Sequence, residues 1–169
     1  MPQREVNYTE HLGKTLASLS DPGALLVSAD ASGKPNAMTI GWGTAGVVWG
    51  KSIFMVAVRP SRYTHDLIRA RGEFTVNVMP AGMAEVVAYC GSHSGRDHDK
   101  LAEKGLTPAA GKTVSVPTIE QAVVAYECRV VHTNHVIAQN LAADIVPGFY
   151  PQGDYHTVFF GEILACLAE

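Results

Sequence analysis

Apolar and polar positions follow a helical spacing at the start of the chain and then a period of two over most of the rest. Asn7, Tyr8, Leu12, Leu16 and Leu19 predict an amphipathic helix over 7–19, ended by Asp21-Pro22-Gly23. Leu25 to Ala29 then reads as a strand, residues 30–35 as a turn and Asn36 to Gly41 as the returning strand. Ile53 to Val58 is an apolar run stopped by Arg59-Pro60, and Phe74 to Val78 alternates as a half-buried strand should. Val123 to Val131 and His156 to Leu164 are two further strands. Helices are expected over Ser61 to Arg71, with Ser61 placed to cap, over Ala84 to Tyr89, and over Arg96 to Lys104 before Gly105. Residues 133–155, with Pro147-Gly148 and Pro151-Gln152-Gly153, read as a long connection.

Strands with short helices between them, and no regular β-α-β alternation, predict a closed or nearly closed barrel rather than a doubly wound parallel sheet. The 169 residues suit a single domain over 1–169. Composition sharpens the picture in one respect. With 47% hydrophobic and only 17% charged residues, apolar surface is left for a cofactor or a second subunit to cover. A formal charge of −3 gives no electrostatic reason to expect nucleic acid or an anionic membrane as partner. No apolar run reaches the roughly 20 residues of a membrane span, and the first residues do not resemble a signal peptide. Cys90, Cys128 and Cys166 form no CxxC pair, so free thiols and a cytoplasmic location are expected.

Three segments carry candidate chemistry. In Arg59-Pro60-Ser61-Arg62-Tyr63-Thr64, proline ends a strand and Ser61 opens a helix whose free N–H groups favour a phosphate. Arg59 and Arg62 add charge there, and Ser61 and Thr64 add hydroxyl donors. The same residues also read as an ordinary serine cap with solvated arginines. In Cys90-Gly91-Ser92-His93-Ser94-Gly95-Arg96-Asp97, small residues let backbone approach a ligand closely, with Lys100 beyond. Ser94 and Asp97 equally resemble a capping box. A nucleophile elbow is excluded, because His93 stands where serine would be needed. Asn36-Ala37-Met38-Thr39-Ile40-Gly41-Trp42 suits either a wall for a flat heteroaromatic ligand or a plain core strand.

Metal binding finds no support in the spacing. On one strand His132 and His135 point to opposite faces, and Cys128 lies ~13 Å from His132, whereas zinc needs ligands near ~2 Å. His93 and His98 are equally unsupported.

Taken in order, these segments, with Phe74-Thr75-Val76-Asn77 and His156-Thr157-Val158-Phe159-Phe160-Gly161-Glu162-Ile163, resemble the flavin reductase-like FMN-binding split-barrel family, in particular its flavoredoxin branch. The resemblance spans roughly residues 20–165. It implies a mainly β fold with short helices, a six-stranded Greek-key split β-barrel, and a homodimer with FMN near the interface. By position, Asn36, Met38, Thr39, Ile40, Gly41 and Trp42 would line the isoalloxazine. Arg59, Ser61, Arg62 and Thr64 would serve the phosphate end, with Ser92, Ser94 and Lys100 closing on it, and His156 and Phe160 would approach the ring. No side chain need act as a nucleophile. NADH or NADPH would be the transient hydride donor, and a small molecule or a protein the electron acceptor. An FMN carrier without turnover and a haem-binding split barrel are the rival readings. The chain departs from the family where it stops, at Glu169, soon after the last strand, and in its long 133–155 segment. There Ile145, Val146, Phe149 and Tyr150 would replace the cover that a C-terminal tail gives in relatives.

Overall fold

The structure, a computed structural model, describes residues 3–169. In chain order the first half runs β1 (Arg4–Glu5), α1 (Leu12–Ser20), β2 (Ala24–Ala29), β3 (Pro35–Ile40), β4 (Gly43–Val48), β5 (Lys51–Val58), α2 (Tyr63–Arg71) and β6 (Glu73–Val78). The second half runs α3 (Ala84–Ser92), α4 (Lys100–Lys104), β7 (Pro108–Ala109), β8 (Thr118–Ile119), β9 (Val124–His135), α5 (Ile145–Phe149) and β10 (Thr157–Ala168). The main sheet is antiparallel in the order β3-β2-β6-β9-β10-β5-β4, with β1 added on β10. Its ends β3 and β4 do not pair, so the barrel is not closed.

Period-two alternation builds two cores from one sheet. Leu26, Phe54, Val56, Phe74, Val76, Tyr126 and Phe159 fill the interior, together with Ile68 of α2. Burying each of these side chains contributes about 1.5–3 kcal/mol. Leu25, Val27 and Ala37 point the other way and pack against Val87 and Cys90 of α3 and Leu101 of α4. Every residue of β2 is therefore buried. That second core fixes α3 and α4 beside β3, which positions the site.

The six strands read from the pattern are all present, but the main sheet has eight. The extra two are β1, only two residues long, and β4. β4 carries Gly43 and Gly46 and exposes Thr44, Val47 and Val48, so it shows no clean alternation. Other boundaries differ too, with α3 running on to Ser92 and β10 to Ala168. The first helix starts at Leu12, because the Asn7 side chain accepts from the Thr9 N–H at 3.0 Å and closes a turn. Ser61 caps nothing: α2 starts at Tyr63, and the Ser61 hydroxyl is bound elsewhere. The helix expected from Arg96 starts only at Lys100, capped by Asp99, whose side chain accepts from Ala102 N–H at 3.2 Å. The 133–155 connection is shorter than expected, since β9 continues to His135 and α5 occupies Ile145–Phe149. No helix among the described residues is long and apolar enough to cross a membrane.

Candidate functional site

β3, the turn after β5 and the α3–α4 connection enclose a cavity of about 470 Å³, a size typical of sites for small molecules. Fourteen of the fifteen residues picked from the sequence line it; Phe160 does not. The 36–42 stretch is part of the core and also borders the cavity. Ile40 belongs to the interior core, with Met38 packed against it, yet Asn36, Met38, Thr39, Ile40, Gly41 and Trp42 also border the cavity.

The glycines of the 90–96 segment serve a close approach, but to protein. A Cβ on Gly95 would lie 1.9 Å from Asn36 Oδ1, and one on Gly91 would lie 3.2 Å from Thr39 Cβ. A side chain at Gly95 would displace Asn36, and one at Gly91 would crowd Thr39, so glycines let this segment sit against β3. Asn36 Nδ2 in turn donates to Thr64 Oγ1 at 3.0 Å, joining β3 to the start of α2.

The polar end of the cavity holds several donors. Lys100 is buried, 3% exposed, and its Nζ donates to the carbonyls of Cys90 (3.1 Å) and His93 (2.8 Å). Among the described residues no carboxylate reaches it, since neighbouring Asp99 pairs with Lys34 at 3.2 Å. Burial lowers the Lys100 pKa, as expected for an ammonium held by carbonyls alone. The Arg62 guanidinium makes no hydrogen bond or ion pair with a described residue. The Thr64 and Ser94 hydroxyls accept from Asn36 and from the Arg96 N–H, which leaves their own protons free to donate. Ser92 is turned back on its helix, donating to Ala88 and Tyr89 carbonyls. Arg59 and Ser61 are engaged by a segment far along the chain. Arg59 donates to the Phe149 carbonyl at 2.8 Å and to that of Asp154 at 3.1 Å, while Ser61 Oγ donates to Asp154 Oδ2 at 2.6 Å.

The flat end is aromatic. Trp42 lies 4.6 Å from His156, 5.3 Å from Phe149 and 6.4 Å from Tyr150 between ring centroids. Tyr150 Oη and His156 Nδ1 are 2.7 Å apart in a buried hydrogen bond. Burial, helped by the Arg59 charge, pulls the His156 pKa from 6.5 to about 4, so its imidazole is neutral at ordinary pH. Phe149 and Tyr150, from which cover was expected, reach Trp42 but do not themselves line the cavity. Ile145 and Val146 are half-buried within α5 and do not line it. Sequence reasoning missed Asp154 and the Tyr150–His156 bond.

Phe160 lies apart for a reason of register. It pairs with Met55 on one side and His132 on the other, two positions along β10 from Val158, which pairs with the cavity residue Ala57. Its ring contacts Trp49 at 5.6 Å and His132 at 5.3 Å. Cys128 is fully buried in the interior core, whereas His132 is exposed and His135 Nδ1 meets Thr157 Oγ1 at 3.2 Å. Among the described residues no three His, Cys, Asp or Glu side chains are grouped to hold a metal ion.

Comparison with known proteins gives a consistent picture. The sequence model of the flavin reductase like domain matches residues 18–169. An uncharacterized protein of Archaeoglobus fulgidus is 35% identical over 131 residues, which is 78% of this chain and 64% of that protein. The chain thus spans less than two thirds of that relative's length. Flavoredoxin of Desulfovibrio vulgaris (Miyazaki F) superposes with a TM-score of 0.71 at 26% identity, over 88% of this chain and 69% of that one. An FMN-binding protein from Thermus thermophilus, solved with bound 1-cyclohex-2-enone, gives 0.68 at 27% identity, over 87% and 70%.

Proposed function

The chain belongs to the flavin reductase like domain family, and from that premise we propose that it is an FMN-binding oxidoreductase. In this reading it takes hydride from NADH or NADPH and passes electrons to a small-molecule or protein acceptor. The observation that carries the reading is Lys100, a buried ammonium without a carboxylate, in the wall of a cavity whose other end is flat and aromatic. A ligand that combines a planar ring with a terminal phosphate answers both ends, and FMN is such a ligand.

Lys100, Arg62, Thr64 and Ser94 would hold the phosphate by charge and by donors the protein has not committed. The edges of Asn36 to Trp42, with His156, would flank the ring. FMN supplies the redox chemistry when bound; the chain orients it and tunes its surroundings. Neutral His156, held by Tyr150, offers a hydrogen-bonding ring nitrogen without adding charge beside the ring.

The active form in this proposal is a homodimer. Trp49 and Val131 are 58% and 40% exposed, and the face carrying Trp49, Phe160, His132 and Met55 continues directly into the cavity through Ala57. A second copy on that face would complete the open side of the site.

The test is an absorbance spectrum of the purified protein under anaerobic conditions, before and after NADH or NADPH. Twin flavin bands, release of FMN and rapid bleaching are expected. Binding of FMN without bleaching would reduce the protein to a flavin carrier, and failure to bind any flavin after reconstitution would overturn the reading.

A further inference from the structure

The turn assigned to the phosphate is already gripped by an anion of the chain itself. Asp154 Oδ1 accepts from the Ser61 N–H at 3.2 Å and Oδ2 from the Ser61 hydroxyl at 2.6 Å. Arg59 reaches the same segment through the carbonyls of Phe149, Gly153 and Asp154, and its guanidinium lies 5.0 Å from the centre of the Tyr150 ring. Residues 149–154 are thereby strapped over the turn by one carboxylate and one guanidinium. Asp154 itself sits at a φ of 56°, in the left-handed region where Asp and Asn are the tolerated non-glycine residues.

One N–H and one hydroxyl cannot serve two anions at once, and a carboxylate and a phosphate repel when brought to the same donors. Resting on the FMN reading above, we propose that Asp154 competes with the ligand phosphate for Ser61. It is therefore the residue that limits how strongly the cavity prefers FMN over riboflavin. Phosphate wins by displacing the 149–154 strap from the turn. The exchange is feasible because Asp154 is exposed, and exposed polar pairs hold only weakly. A doubly charged phosphate near Arg59 and Arg62 outbids a single carboxylate. Riboflavin has no phosphate and leaves the strap in place.

The experiment titrates FMN and riboflavin into wild type, Asp154→Asn and Asp154→Ala, following flavin fluorescence. FMN should bind roughly 10-fold more tightly to Asp154→Ala, the scale of one charge-assisted hydrogen bond. Asp154→Asn, which suits the positive φ and keeps an acceptor, should show a smaller gain, and riboflavin should change by less than about twofold. An FMN-to-riboflavin ratio that stays constant or falls would overturn the proposal. A second measurement needs no variant: amide exchange of Tyr150 and Gly153, whose N–H groups bond to Val146 and Tyr150 carbonyls. FMN should speed that exchange in wild type and riboflavin should not; equal exchange would refute displacement. If neither flavin binds, the FMN reading fails by itself, and the competition is read with inorganic phosphate against chloride at matched ionic strength. Faster exchange of the same two amides with phosphate sustains the role of Asp154, and unchanged exchange ends it.

Discussion

One face of the sheet carries two similar aromatic clusters. At one end Trp42 touches His156 and Phe149; at the other Trp49 touches His132 and Phe160. Each tryptophan is about half exposed, at 42% and 58%. What separates the two is the polar frame. Around Trp42 stand Arg62, Thr64, Ser94 and the buried Lys100, whereas the Trp49 cluster has Val47, Val48 and Val131 as exposed neighbours in sequence. The charge nearest it along the strands, Lys51, is paired with Glu162 at 2.9 Å. A shared aromatic pattern thus leads in two directions. With uncommitted donors beside it, it suits a small charged ligand; without them, it suits a protein surface of like chemistry.

The largest break in this comparison should come from Lys100→Ala. A charge-assisted bond to phosphate contributes about 1.5–3 kcal/mol, so FMN should weaken roughly 10- to 150-fold while riboflavin weakens far less. The structure adds a second consequence. Removing Nζ leaves the Cys90 and His93 carbonyls without that donor, which should lower stability by about 1–3 kcal/mol. Parallel fluorescence and urea titrations separate the two effects. Equal losses for both flavins would make Lys100 a brace of the α3–α4 connection and nothing more.

How far this site could be read from the sequence depends on the range of the interaction. Strands such as Phe74–Val78 and Ile53–Val58 were legible because alternation is local. β4 was not, because two glycines and an exposed hairpin end remove the pattern. The Asn36–Trp42 stretch and the Arg59–Thr64 turn could be singled out because residue type and spacing mark them, and residues of both line the cavity. Ser61 was misread as a cap since its partner, Asp154, lies 93 residues away in sequence. Ser94 was misread for a local reason: Asp99 offers the capping carboxylate one residue before α4. Phe160 was assigned to the ring by position in the resemblance, but strand register carries it two residues past the cavity. The Pro151-Gln152-Gly153-Asp154 sequence signals a turn, and nothing in it signals where that turn returns.

The second prediction uses the histidines of the two clusters. His156 is buried and its folded pKa is about 4, below the ordinary 6.5. Between those values the unfolded chain takes up a proton that the folded chain refuses, so stability falls as pH drops from about 6.5 towards 4. At pH 5 this one group should cost about 2 kcal/mol relative to pH 7.5. His156→Gln should remove that part of the pH dependence, whereas His132→Gln, on the exposed cluster, should leave it in place. Urea unfolding at the two pH values measures both. An unchanged slope in His156→Gln would mean that the imidazole is not held neutral by burial, and the two clusters would then differ less than the geometry says.

The smallest effect expected is that of Trp49→Ser, and it acts on assembly alone. Trp49 has a positive φ of 53° at the tip of the β4–β5 hairpin, and among the described aromatic groups its ring touches His132 and Phe160 alone. Its loss therefore removes little from either core, and the unfolding midpoint at high dilution should hardly move. If a second copy covers this face, the same ring is buried between subunits, where a tryptophan typically contributes more than about 1 kcal/mol to association. Sedimentation across a dilution series should then show the dimer weakened roughly tenfold. Ala57, which lines the cavity, lies on the same face two positions from Met55, so FMN affinity should fall with the dimer and recover as protein concentration rises. FMN affinity that is independent of protein concentration, in a variant that sediments as a monomer, would separate the clusters completely. Trp42 and its donors would then hold the ligand within one chain, with Phe149 and Tyr150 as its cover.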